Sequence, residues 1–381
     1  MIAEGPLSGI TVVELGDSAS APFAGKILAE LGAEVWKVER PSGDSSRGWG
    51  PSEWKGDGAA FHALNRGKRF IGVDIKDQTQ RNELQRLIDQ ADVFIHNLRP
   101  GSAANYELDA DSLRATNPEL IYCELGAFGH AGPLNTQGGY DPLMQAFSGI
   151  MSITGEHGQP PVRAGVSIVD FGAGMWSVIG ILAALHRRDV KHTGSAVNTS
   201  LLETAIAWMS VGVAGFGADG NAGERHGSGV AFIVPHRAFT VADGDLVVSC
   251  ANDSLFAKLC KALDHPEWAV DDKFATNAGR LRNRAEIDGL IGAVLADHTR
   301  AHWQERLAEF GIPIAPIQTT DEMVGHEQTR ALGIINPAAD DELPIVGLPI
   351  SFDGKRPGPL HAVRPVGHDN DSLRAAVRTR R

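Results

Sequence analysis

Asp170 is the residue whose setting most invites a chemical reading. It stands in VRAGVSIVDFGAGMWSVIGILAAL, residues 162–185, where a polar segment gives way to the longest apolar run of the chain. An aspartate immediately before a helix is a preferred N-cap, because its carboxylate accepts from first-turn amides that have no partner in the helix. A carboxylate at such a hinge is also a group that could do chemistry, and its own position leaves the two roles open. Three cations form a second pattern: Arg40 follows EVWKVE, Lys76 follows FIGVDI and Arg99 follows ADVFIHNL. Read as strands of one parallel sheet, these runs place their carboxyl ends on a common rim, where three cations would suit a phosphate-bearing ligand. Taken singly, each is an ordinary solvated loop residue. His130 and His236 lie in loops and receive no role, since a lone histidine is more often packed or solvated. Trp49, Met144, Phe147 and Met175 would make a moderately apolar pocket, although such residues near a helix are more often plain core.

Several chemistries are disfavoured. After the first apolar run comes GDSASAP rather than a G-x-G-x-x-G turn, and no Walker loop, G-x-S-x-G elbow or H-E-x-x-H helix occurs. A nicotinamide dehydrogenase is therefore not expected. Cys123, Cys250 and Cys260 are odd in number and widely spaced within apolar segments, which suggests reduced core thiols rather than disulfides or a metal site. A net charge of -12 speaks against nucleic acid and membrane surfaces as partners. The start, MIAEGPLSGITVVEL, lacks a basic stretch followed by an apolar one, so a cytoplasmic location is expected.

The elements that must position these residues follow from hydrophobic periodicity. ITVVEL reads as a buried strand, SAPFAGKILAELGAE as a helix with Ser20 as a possible cap and Gly32 as its stop, and EVWKVER as the next strand. The alternation continues through FIGVDI, a helix at 82–90, ADVFIHNL, a short helix at 111–115 and LIYCEL. This is a doubly wound α/β sheet, with ligands expected beyond the carboxyl ends of its strands. The run Phe171 to Leu185 contains three glycines and falls short of the roughly 20 residues that span a bilayer, so it reads as a buried core helix. Beyond it, SLLETAIAWMSVGVAGF reads as a helix and GADGNAGERHGSG as a linker or flexible loop. HRAFTVADGDLVVSC is a hairpin turning at Asp243 and Gly244, followed by helices at 253–262 and 283–298. The resulting division is a large domain over 1–204, a linker over 205–229, a small α+β domain over 230–320, a second linker over 321–335 and a return to the large domain over 336–381.

PLSGITVVEL, GAEVWKVERPSGD, GKRFIGVDIK, ADVFIHNLRPG, GGYDPLMQAFSG, RAGVSIVDFGAG and GIPIAPIQTTDEM together resemble the family III CoA-transferases, a group that includes formyl-CoA and carnitine CoA-transferases and, as a divergent branch, α-methylacyl-CoA racemase. The resemblance covers essentially the whole chain. It implies a Rossmann-like large domain and an interlocked homodimer. It also implies that Asp170 is a covalent nucleophile, which suits a carboxylate: with an ordinary pKa of about 4 it is ionised at neutral pH and needs no partner base. Attack on an acyl-CoA would give an acyl-aspartyl anhydride, and returning CoA thiolate an aspartyl-CoA thioester. No metal or prosthetic group is implied, CoA thioester being the substrate and a carboxylic acid the acceptor.

Carried over position by position, CoA contacts fall on Ser18, Ala19 and Ser20, on Arg40, on Val73 and Lys76, and on Asn97, Leu98 and Arg99. An arginine common a few residues later in relatives is absent around Asn105. Tyr140 and Asp141 match residues that line the acyl pocket. The racemase branch carries a histidine beside its aspartate there, as a two-base mechanism requires; GGYDPL lacks it, so transfer is expected rather than racemisation. Gly227 and Gly229, in HGSG, correspond to a glycine-rich loop that would shield the anhydride from water, or else belong to an ordinary linker.

Overall fold

In the computed structural model, residues 5–358 and 360–378 are described. The chain divides into two units: Met1–Ser148, Ala164–Val211 and Glu327–Arg381 form the first, and Gly149–Arg163 with Gly212–His326 the second.

The first unit is built on a six-stranded sheet with Arg69–Gly72, Glu34–Glu39, Thr11–Leu15, Val93–His96, Ile121–Gly126 and Ser195–Ser200 adjacent in that order. Every pairing is parallel. Side chains alternate across it with period two. Val12, Val35, Val93, Ile95 and Ile121 pack on one face with the helices Ser20–Glu30 and Ile168–Lys191. Val13, Trp36, Val38, Phe94 and Tyr122 pack on the other with Gln78–Ile88 and the C-terminal helix residue Leu373. The order reverses between Thr11–Leu15 and Val93–His96, which opens a crevice at the ends of those two strands, where the loops leave in opposite directions.

Four details depart from the sequence-based expectations. Ser195–Ser200 is a sixth strand, half-exposed and polar at the sheet edge, so it carries no apolar run to announce it. Ser20 is the first residue of its helix; Ala19 is the N-cap, without a side-chain hydrogen bond. Ile168–Lys191 spans 24 residues, longer than its apolar run, and is only half-buried: Met175, Trp176, Ile179 and Leu182 face outward. Among the described residues it is the single unbent helix long and apolar enough to cross a membrane. Finally, the helix expected from Ser200 to Phe216 is two, Leu201–Trp208 and Ser210–Asp219, bent at their junction by 60°.

In the second unit, the hairpin His236–Val241 and Gly244–Ser249 pairs along its outer side with Ile314–Pro316. Helices Asp253–Ala262, Arg284–Leu295 and Arg300–Glu309 cover it around Phe239, Val248, Phe256, Ile287 and Trp303. Cys250 and Cys260 lie in this core and Cys123 in the sheet, all as free buried thiols.

Candidate active site

Charges buried beneath the crevice fix its rim. Glu14 lies between two lysines, 3.1 Å from Lys37 and 2.6 Å from Lys68, and Lys37 also reaches Asp44 at 2.7 Å. These side chains are withdrawn from solvent, and buried charges persist only where each is paired. The close approach requires a glycine overhead: a Cβ on Gly25 would come within 1.9 Å of Glu14 Oε2. Asp44 in turn accepts from the amides of Ser46 and Ser18, at 2.8 and 3.2 Å. Asp17 is gripped twice by Asn97, whose Oδ1 accepts from its amide at 3.0 Å and whose Nδ2 donates to its carbonyl at 2.8 Å. Asp17 then accepts from the amide and hydroxyl of Ser45. The loops after three strands are thereby tied into one wall at the switch point.

That wall borders a cavity of about 780 Å³. Ser18, Ser20, Arg40, Asn97, Leu98, Arg99, Tyr140 and Asp170 all line it, so two of the three rim cations meet there with the aspartate. Arg40 is held by the Gly43 carbonyl at 2.7 Å and lies 3.4 Å from Asp17. Asp17, Ser45, Trp49, Thr136, Gly138 and Gly139 also line it; sequence reasoning singled out only Trp49 among them, as a pocket residue.

Other expected residues fall outside. Ala19 is buried between Ser18 and Ser20, and Val73 is part of the sheet core. Lys76 is exposed, its amide donating to Asp74, and does not join Arg40 and Arg99. Met144 is core beneath Gly139, and Phe147 packs edge-on against Phe128. Gly227 and Gly229 belong to the second unit, where the Gly227 amide donates to the Gly155 carbonyl at 2.9 Å. Gly227 has φ +60°, and a Cβ there would meet Glu156 at 2.2 Å.

Asp170 itself is not a cap. The N-cap position of Ile168–Lys191 belongs to Ser167, and Asp170 sits in the first turn. The capping is done from another helix: Asp141 Oδ2 accepts from the amides of Val169 at 2.8 Å and Asp170 at 3.3 Å. Asp141 is 2% exposed, and its second oxygen accepts from Gln145 Nε2 at 2.5 Å. Gln145 is oriented by the Ala164 amide, which donates to its Oε1 at 2.9 Å. Asp141 therefore does not line the cavity, as the sequence comparison led one to expect, but supports the residue that does. One turn along, Gly174 lets the helix approach the Ser20 carbonyl closely, and Phe171 packs on Phe23 with ring centroids 4.7 Å apart.

No described residue donates to the Asp170 carboxylate, and its environment raises its pKa to about 7, by burial first and by the Asp141 charge second. The expectation of a fully ionised aspartate at neutral pH is corrected accordingly: near pH 7 the free protein holds a substantial protonated fraction. His96, before Asn97, is buried against the Tyr122 hydroxyl at 2.5 Å, and burial lowers its pKa to about 4. It is a neutral structural residue. No cluster of metal-ligating side chains occurs among the described residues.

Comparison with known proteins identifies the family. The model of CoA-transferase family III matches residues 7–370. A succinate–glutarate CoA-transferase of Agrobacterium fabrum is 36% identical over 351 residues, covering 90% of this chain and 88% of the relative. A succinyl-CoA–D-citramalate CoA-transferase of Chloroflexus aurantiacus is 35% identical, covering 84% and 80%. The crystal structure of a CaiB/BaiF family protein from Brucella suis superposes with a TM-score of 0.90 at 35% identity, covering 98% of this chain and 99% of that one. The chain belongs to CoA-transferase family III and is an enzyme of CoA transfer.

Proposed function

We propose that this enzyme moves CoA from an acyl-CoA to a dicarboxylic acid through covalent intermediates on Asp170. The observation that carries the proposal is the state of that side chain: its carboxylate faces the cavity without a partner while its backbone is clamped by Asp141. In the ionised form Asp170 attacks the thioester carbonyl, a C–O bond forms, the C–S bond breaks and CoA leaves as thiolate. The thiolate then attacks the aspartyl carbonyl of the anhydride, the donor acid departs, and the acceptor acid reverses both steps. Arg40 and Arg99 suit the phosphates of CoA, and contacts remote from the reacting carbon help offset the unfavourable anhydride. The dicarboxylate class rests on relatives named for succinate, glutarate and citramalate.

Asp141 argues against racemisation. A second proton-transferring base must reach the substrate, whereas this carboxylate is buried, with both oxygens hydrogen-bonded inside the fold. The working assembly we propose is an interlocked homodimer in the cytoplasm, with no metal or prosthetic group in the cycle. The outward apolar side chains Met175, Trp176, Ile179, Leu182, Ile206 and Trp208 support a partner subunit. Gly227 and Gly229 are proposed to shield the anhydride. Their substitution should raise hydrolysis relative to transfer, and an unchanged ratio removes that role.

The test is incubation with a panel of acyl-CoA donors and dicarboxylic acids, following CoA exchange by mass spectrometry and trapping an Asp170 adduct with hydroxylamine or borohydride. Exchange and adduct should both disappear in Asp170→Ala. Exchange at the parental rate in that variant refutes the covalent route.

A further inference from the structure

We infer that the backbone amides of Gly138 and Gly139 are the oxyanion donors of this site; the inference rests on Asp170 being the nucleophile. When the Asp170 oxygen bonds to the thioester carbon, the carbonyl electron pair moves onto oxygen. The resulting anion needs donors until the pair returns and the C–S bond breaks.

The first turn of the Asp170 helix would be the obvious source, but its amides are already committed. The Ile168 amide donates to the Val166 carbonyl, Val169 and Asp170 to Asp141, and Phe171 to the Ser167 carbonyl. In the wall at the switch point the amides of Asp17, Ser18 and Ser45 and the side-chain amide of Asn97 have partners within the fold, while the Ser20 amide, at the uncapped start of its own helix, donates to no described residue.

The segment leading into Asp141 offers consecutive free amides next to the clamp on Asp170. The amides of Gly138, Gly139 and Tyr140 donate to no described residue. Gly138 and Gly139 line the same cavity as Asp170, and because they have no side chains they line it with backbone alone. Their distance from the nucleophile is constrained by the chain, since Asp141, two residues after Gly139, accepts from the amide of Asp170. Gly139 is also required sterically. A Cβ there would stand 2.7 Å from Met144 Cε and 3.1 Å from Ala127 Cβ, so the segment packs closely on the core at this position. At Gly138 a Cβ would meet nothing within 4 Å, and φ lies outside the left-handed region, so the position accepts a side chain and can be probed through its N–H.

The test compares Gly138→Pro, which removes the amide proton, with Gly138→Ala, which keeps it. The proline variant should have a kcat lower than the alanine variant by on the order of 10²-fold, with KM for the acyl-CoA similar in the two. Equal kcat values, with Asp170→Ala inactive, would overturn the oxyanion assignment and leave the nucleophile standing. Activity in Asp170→Ala would instead overturn the covalent route itself. A second measurement does not depend on how well the proline variant folds. In Asp170→Ala, the carbonyl stretch of a ¹³C-labelled acyl-CoA thioester should shift to lower frequency on binding, and an unshifted band would also overturn the assignment.

Discussion

Replacing Asp170 by asparagine should make the protein more stable, and the gain should depend on pH in a defined direction. The fold raises the pKa of this carboxyl from an ordinary 3.8 to about 7, chiefly by burial. A raised folded-state value means that the native structure prefers the protonated form. The associated stability is complete below the unfolded-state value and is lost as pH rises through the folded-state value. Each pH unit of the interval corresponds to about 1.4 kcal/mol, and the interval is roughly three units, which sets an upper bound of about 4 kcal/mol at pH 8. Asp170 is partly exposed at the cavity, and solvent screening halves this to about 2 kcal/mol. The first turn of a helix also favours an anion by about 0.3–1 kcal/mol, a smaller opposing effect. Asparagine keeps the shape and cannot ionise. Urea unfolding of both proteins at one protein concentration, from about pH 5 to about pH 8, should show Asp170→Asn gaining on the parent as pH rises and levelling off above about pH 8. A difference that is constant across this window, or that grows as pH falls, would show that the site does not penalise the carboxylate. The covalent variant test and this one are independent: the same substitution should abolish transfer while raising stability, a trade expected where a nucleophile is held in an unfavourable environment.

Three further outcomes follow from the same geometry. Asp141→Asn removes a charge that holds the Asp170 pKa up, so the acid limb of the kcat/KM profile should move to lower pH; it also sets an NH₂ donor against Gln145 or the helix amides, costing about 1–3 kcal/mol in urea unfolding. Asn97→Ala deletes both hydrogen bonds to Asp17 and should raise KM for acyl-CoA more than it lowers kcat, as steady-state kinetics would show. Gly25→Ala forces a Cβ against Glu14 within the buried ion network and should cost about 3 kcal/mol, measured by chemical denaturation.

The sheet was legible because each face of a buried strand writes its own pattern: Val12 and Val13 belong to opposite cores, and so do Val35 and Trp36. Ser195–Ser200 was not legible, since an edge strand with polar residues makes no such demand. Arg40 and Arg99 could be placed at the site from their position after strands, a rule of topology, yet the same rule placed Lys76 there, and the loop after Gly72 does not bring it in. The role of Asp141 was beyond a linear reading. Its partner amides lie 28 and 29 residues away, and only the packing of two helices converts a pocket carboxylate into a remote cap. The free amides at Gly138 and Gly139 left no mark in the sequence beyond two glycines.

The bonds joining Asp17, Ser18, Ser45 and Asn97 to one another and to the Glu14, Lys37 and Asp44 cluster all run between protein groups. The receiving surface is thus braced by its own side chains, and a long, flexible thioester docking on it must give up its own freedom but demands little ordering from the protein. Loosening the cluster should therefore tax association entropically before it disturbs the bond-making steps.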